Sequence, residues 1–196
     1  MHENGIVFPM MRFYRIKKPG PRSRVFYWTL VLPPPPAGFA AGQGGFFICG
    51  AAMKLSTYFS YEELTQSDWA ARHGVANNPG PQELENMKYT AIQLDRVRAL
   101  LGVPVLVSSG FRCQAVNEAI GGAKNSQHTL GQAVDFTAPS FGTPEQVARA
   151  IQASHIPFDQ LIFEFGRWVH ISFVKTNPRG QVLTIDRNGT RQGIAG

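Results

Sequence analysis

The sequence predicts an α+β domain: a mainly antiparallel sheet flanked by helices. Three observations carry that prediction. Helix-type patterns come first and strand-type patterns cluster later in the chain. Two of the strand runs, Gln160–Glu164 and Trp168–Phe173, are separated by a tight turn at Phe165-Gly166. And 196 residues, 43% of them hydrophobic, suffice for one domain with a real core but not comfortably for two.

The first 52 residues stand apart and read as an unstructured extension. They hold six basic residues against one acid, then an apolar run from Val25 to Leu32 and four prolines, Pro33 to Pro36. Eight apolar residues fall far short of the roughly 20 that span a membrane. Basic and apolar regions follow in the order of a weak signal segment, but the better expectation is a start at Met53 and no functional signal peptide. From Met53 onward thirteen basic residues face twelve acidic ones. The overall charge of +6 therefore gives no argument for a nucleic-acid partner. Two cysteines, Cys49 and Cys113, make no disulfide framework, and no Cys-x-x-Cys spacing exists to hold a metal.

The remainder, 53–176, can be read element by element. Ser60 and Glu63 form a capping box that opens a helix to about Arg72. Pro81 suits the first turn of the next helix. Leu84, Met87, Ala91, Leu94, Val97 and Leu101 recur at helical spacing along it, and Gly102 stops it. Pro104 to Ser109 is a strand, Gln114 to Ile120 a helix, and Gln132 to Thr137 a strand. Thr143-Pro144-Glu145-Gln146 caps a helix to about Ser154. The tail, 177–196, offers an edge strand at Val182–Asp186 before Asn188-Gly189.

Strand alternation sorts the side chains. Val134 and Phe136 face one way, and Ala133 and Asp135 the other. Val169, Ile171 and Phe173 share one face, leaving Trp168, His170 and Ser172 on the other. An unpaired carboxylate within a buried strand is costly, so Asp135 needs a cation or several donors. His128, seven residues earlier, and His170 would supply two imidazoles. Two imidazoles and a carboxylate match the ligand count of a catalytic zinc site, in which water takes the fourth position. Glu164 shares its strand face with Gln160 and Ile162 and stands beside the His170 strand, where a general base belongs. Its alternative partner is Arg167, across the turn.

Ser126, His128, Gly131, Ala133 and Asp135 fit the SxHxxGxAxD pattern. With Ser108-Ser109-Gly110-Phe111-Arg112 and the tract Phe163 to Phe173, they resemble the zinc D-Ala-D-Ala peptidases, above all the small single-domain members of phages and prophages. The likeness spans about residues 53–174. It implies a fold shared with the hedgehog signalling domain, with one zinc on the sheet held by His128, Asp135 and His170. It also implies hydrolysis of a peptidoglycan stem peptide next to D-alanine, as a carboxypeptidase or as an endopeptidase of the endolysin kind. Arg112 matches the arginine that pairs with a substrate carboxylate; its alternatives are a helix cap or a pair with Glu118. Ser126 either meets substrate or bonds its own loop, and Trp168 is either pocket wall or packing. Many members carry the catalytic acid three residues before the last histidine, where this chain has Arg167; Glu164 lies six before. The resemblance leads us to expect a monomer acting on the cell wall, in the periplasm or delivered by a virion. The competing expectation is a catalytically silent, zinc-stabilised module that binds peptidoglycan.

Overall fold

A computed structural model describes residues 52–194. The extension read from the sequence, apart from Ala52, lies outside the described residues, as does Cys49. Five helices and six strands follow in the order α1 (Tyr61–Thr65), α2 (Asp68–His73), α3 (Pro81–Leu101), β1 (Leu106–Ser109), α4 (Gln114–Ala119), β2 (Ala133–Thr137), α5 (Pro144–Gln152), β3 (Gln160–Glu164), β4 (Trp168–Ser172), β5 (Gln181–Asp186) and β6 (Gly189–Gln192). No helix among the described residues is long and apolar enough to cross a membrane.

The helices begin and end where side-chain chemistry dictates. Ser60 accepts from the Glu63 amide at the start of α1. The expected single helix to Arg72 is two: Gln66 is extended, and Ser67 caps a new start by accepting from the Ala70 amide. Helix α3 runs from Pro81 to a left-handed Gly102, as the sequence predicts. It buries Met87, Ala91, Leu94, Val97 and Leu101 on one face. Thr143 and Gln146 close a complete capping box on α5.

The strands form one mixed sheet in the order β1-β2-β4-β3-β5-β6. All neighbours are antiparallel except β3 and β5. The strand expected at the edge is therefore internal. It pairs with β3 in parallel, from Gln160↔Gln181 to Glu164↔Ile185. The edge on that side is β6, whose four residues are all exposed and so carry no apolar alternation to betray it. Val134, Phe136, Val169, Ile171 and Phe173 all join the hydrophobic core, in which α3 and α5 also bury their apolar faces. Burying each such side chain stabilises the fold by roughly 1.5–3 kcal/mol before chain entropy is counted. The opposite side of β2, β3 and β4 carries the polar residues.

Candidate metal centre

Asp135 on β2 and His170 on β4 are direct cross-strand partners, and Ile162 on β3 stands opposite His170. Register alone thus brings two of the three sequence-predicted ligands together. The third arrives on a loop. Residues between α4 and β2 fold back so that the His128 amide reaches the Ser126 hydroxyl at 3.3 Å and Thr129 Oγ1 donates to the Ser126 carbonyl at 2.7 Å. That loop is fastened to α3: Thr90 Oγ1 donates to the Gly131 carbonyl at 3.0 Å and Asn86 to the Leu130 carbonyl at 2.9 Å. Gly131 adopts φ +67°, and any Cβ there would lie 2.5 Å from the Glu83 carbonyl oxygen. Only glycine lets the loop come this close to the helix.

His128, Asp135 and His170 are all buried. Three atoms converge: His128 Nε2 lies 3.1 Å from Asp135 Oδ1 and 3.2 Å from His170 Nδ1, and His170 Nδ1 lies 2.8 Å from Asp135 Oδ1. The tautomer of His128 follows from its other nitrogen. Nδ1 sits 2.7 Å from the Gly110 carbonyl, which only accepts, so the proton is on Nδ1 and the Nε2 lone pair faces the cluster. Burial holds the His128 imidazole below its usual pKa, in the neutral, ligating form. Burial also works against charge on Asp135, but the two imidazoles beside it outweigh that and keep its carboxyl below the ordinary range. A carboxylate oxygen and an imidazole lone pair cannot hydrogen-bond each other without a proton; a cation between them satisfies both. Two ligands of a tetrahedral zinc, each about 2.0–2.1 Å from the metal, stand about 3.3 Å apart. The donor set is nitrogen and oxygen without thiolate, and it fits that group.

The supports of these residues were beyond sequence reasoning. Arg112 donates through Nη2 to Asp135 Oδ2 and through Nε to Ser109 Oγ at 2.8 Å, so Asp135 turns only Oδ1 to the cluster. Neither alternative for Arg112 occurs: α4 has no side-chain hydrogen bond at its N-cap, and Glu118 accepts from Gln114 instead. Gly110, whose carbonyl holds His128, presses so close to α1 that a Cβ would lie 2.3 Å from the Leu64 carbonyl oxygen. Asn77 is buried and ties three segments together through Thr65, Phe111 and Cys113. Next to His128, Gln127 donates to Asp159, a buried carboxylate that also receives the Arg179 backbone amide and guanidinium. Arg179 lies in the crossover from β4 to β5, far from Gln127 in sequence; no local pattern reveals such a pair.

Glu164 faces Trp168 across the β3–β4 hairpin, on the His170 face of the sheet. Trp168 Nε1 donates to Glu164 Oε2 at 2.6 Å; the Arg167 guanidinium does not pair with it. Burial, reinforced by the negative charge of Asp135, pushes the Glu164 carboxyl above its usual pKa. Ser126 bonds within its loop, as the second of its two expected roles has it. His73 stacks on Trp69 at 4.2 Å and His155 is exposed, so neither joins the cluster. Cys113 is a free thiol.

No curated protein matches the chain. The family model described as Peptidase M15 matches residues 57–172, from the turn before α1 to the end of β4, and so takes in every residue of the converging cluster and Glu164. Members are zinc-dependent metallopeptidases, and the matched span contains the buried His-Asp-His cluster described above. A match over more than half of the chain places it: the protein belongs to the Peptidase M15 family.

Proposed function

We propose that the protein is a zinc metallopeptidase that hydrolyses peptidoglycan stem peptides next to D-alanine, with His128, Asp135 and His170 holding the metal and Glu164 as general base. The observation that carries this reading is the convergence of three atoms able to ligate a metal within 3.2 Å, on the sheet face that also bears Glu164. Zinc bound there would polarise a peptide carbonyl and lower the pKa of water to about 7. Glu164 is suited to take a proton from that water. Its Oε2 is held by Trp168, which leaves Oε1 to accept, and its raised pKa lets it hand the proton on to the leaving amine.

Arg112 has two of its three nitrogens engaged by Asp135 and Ser109. A substrate carboxylate would meet Nη1 rather than the full guanidinium fork. That arrangement suits an endopeptidase, which needs no clamp on a terminal carboxylate, more than a carboxypeptidase. The cell wall is then the place of action, reached through the periplasm or from a virion, and one copy of the chain forms the whole site. The reading is tested by incubating zinc-loaded protein with purified muropeptides and weighing the products by mass spectrometry. Cleavage next to D-alanine that disappears in Glu164→Ala and His128→Ala is expected. A wild type that holds zinc and cleaves nothing would be a binding module instead.

A further inference from the structure

Beside the candidate catalytic face lies a cavity of about 490 Å³, lined by Phe165, Arg167 and Trp168 from the β3–β4 turn and by Asp186, Arg187 and Asn188 from the β5–β6 turn. Its charge is uncompensated. Asp186 is already committed, with Oδ2 to Arg191 and Oδ1 to the Asn188 amide at 2.8 Å. Among the described residues, neither the Arg167 nor the Arg187 guanidinium has a hydrogen-bond or ion-pair partner. Two guanidinium groups without protein partners, one from each turn that lines the cavity, make a place for an anion, carboxylate above all.

The turn itself adds a second observation. Phe165 adopts φ +49° and Gly166 φ +68°, the two-residue hairpin geometry that asparagine or glycine relaxes at its first position. A bulky aromatic residue there is strained. Nevertheless its amide is fastened to the Ile185 carbonyl at 2.8 Å, and its ring, 48% exposed, tilts against Trp168 at 5.8 Å between centroids. The turn thus presents a half-exposed aromatic ring to the cavity that the two arginines also line. Trp168 joins the cavity to the site, because its indole nitrogen holds Glu164.

We propose that this cavity is a specificity subsite for the part of a peptide substrate that bears a carboxylate away from the scissile bond. Arg167 and Arg187 take the carboxylate, and Phe165 and Trp168 cover the adjoining apolar atoms. The proposal rests on the stem-peptide reading above, and the two are tested separately. Two stem peptides are needed, identical except that the carboxylates remote from the scissile bond are free in one and amidated in the other. Binding is measured on zinc-loaded Glu164→Gln protein, and hydrolysis on the wild type. The free acid should bind about tenfold more tightly than the amide, an advantage that shrinks with added salt. In the Arg167→Gln, Arg187→Gln double variant the advantage should vanish, and in hydrolysis the loss should fall on KM rather than kcat. Phe165→Asn should raise thermal stability by relieving the turn while weakening binding of both peptides several-fold.

Equal binding of the two peptides overturns the subsite, and hydrolysis alongside that result leaves the peptidase reading standing. Discrimination that the double variant abolishes, without hydrolysis of either peptide, keeps the subsite and removes the peptidase reading. A Phe165→Asn protein that is more stable and binds both peptides as before removes the aromatic half of the proposal.

Discussion

Replacing Gly131 with alanine tests how the loop that carries His128 is built. Gly131 stands at φ +67°, where an L-residue pays about 1–2 kcal/mol. Its new Cβ would also lie 2.5 Å from the Glu83 carbonyl oxygen and 2.8 Å from Met87 Cγ, nearly an ångström inside ordinary contact. The oxygen belongs to the first turn of α3, and Met87 is buried, so neither gives way freely. Overpacking of this kind costs about 1–3 kcal/mol. The sum, about 2–5 kcal/mol, is a large share of the 5–15 kcal/mol typical of a whole domain. Gly74→Ala is the control: φ is +64° and no atom lies within 4 Å of the new Cβ, so only the backbone cost remains. Urea unfolding should therefore place Gly131→Ala about 1–3 kcal/mol below Gly74→Ala. Because the Gly131 amide is bonded to the His128 carbonyl at 3.2 Å, zinc affinity should also fall at least tenfold in the first variant and not in the second. Equal destabilisation with unchanged zinc affinity would refute the close approach as the reason for glycine here.

Three further outcomes follow from the same geometry. Glu164→Gln keeps an acceptor for Trp168 Nε1 but loses the base, so peptide hydrolysis should fall about 10²–10⁴-fold while zinc stoichiometry is unchanged; a loss of metal would move Glu164 among the ligands. Arg112→Ala frees Asp135 Oδ2 and should weaken zinc about 10–100-fold, measured by competition with a chromogenic chelator; unaltered affinity would assign Arg112 to substrate alone. Arg179→Ala should cost roughly 1 kcal/mol at pH 7, discounted because about half of that side chain meets water. The Arg179 hydrogen bonds hold the Asp159 carboxyl below its ordinary pKa. A depressed folded-state pKa contributes stability that is present above the unfolded value, about 3.9, and disappears as pH falls through the folded one. Wild type and variant should thus converge in acid, and a gap as large at pH 2.5 as at pH 7 would attribute the effect to packing.

How much of this was legible in the sequence depends on whether the signal is local. Pro81 and Gly102 punctuate α3, and the bounds they set are the observed ones, because each acts on its own residue's backbone. Period-two alternation sorted Val134 and Phe136 from Asp135, and Val169 and Ile171 from His170, and the sheet register then placed Asp135 against His170. The break between α1 and α2 was hidden because Ser67 reads as one polar residue in a helical run; its role as a cap depends on Gln66 turning extended. β6 is polar throughout, and its existence depends on pairing with β5, which alternation cannot report. In the site, the chemistry-bearing residues were readable as a pattern. Their partners, Arg112 with Asp135 and Arg179 with Asp159, join segments that meet only in the folded chain. Phe165 was read as a plain turn residue, since a sequence shows a residue type and not the left-handed backbone that strains it.

The central claim is that His128, Asp135 and His170 hold a zinc ion on which peptide hydrolysis depends. The most direct measurement strips metal from the protein with a chelator and titrates zinc back while following both bound metal and muropeptide cleavage. One zinc should bind per chain, with activity restored in proportion to it. Alanine at any of the three positions should abolish stoichiometric binding and cleavage together. Cleavage that persists without metal, or one tightly bound zinc in the Asp135→Ala and His170→Ala variants, would contradict it.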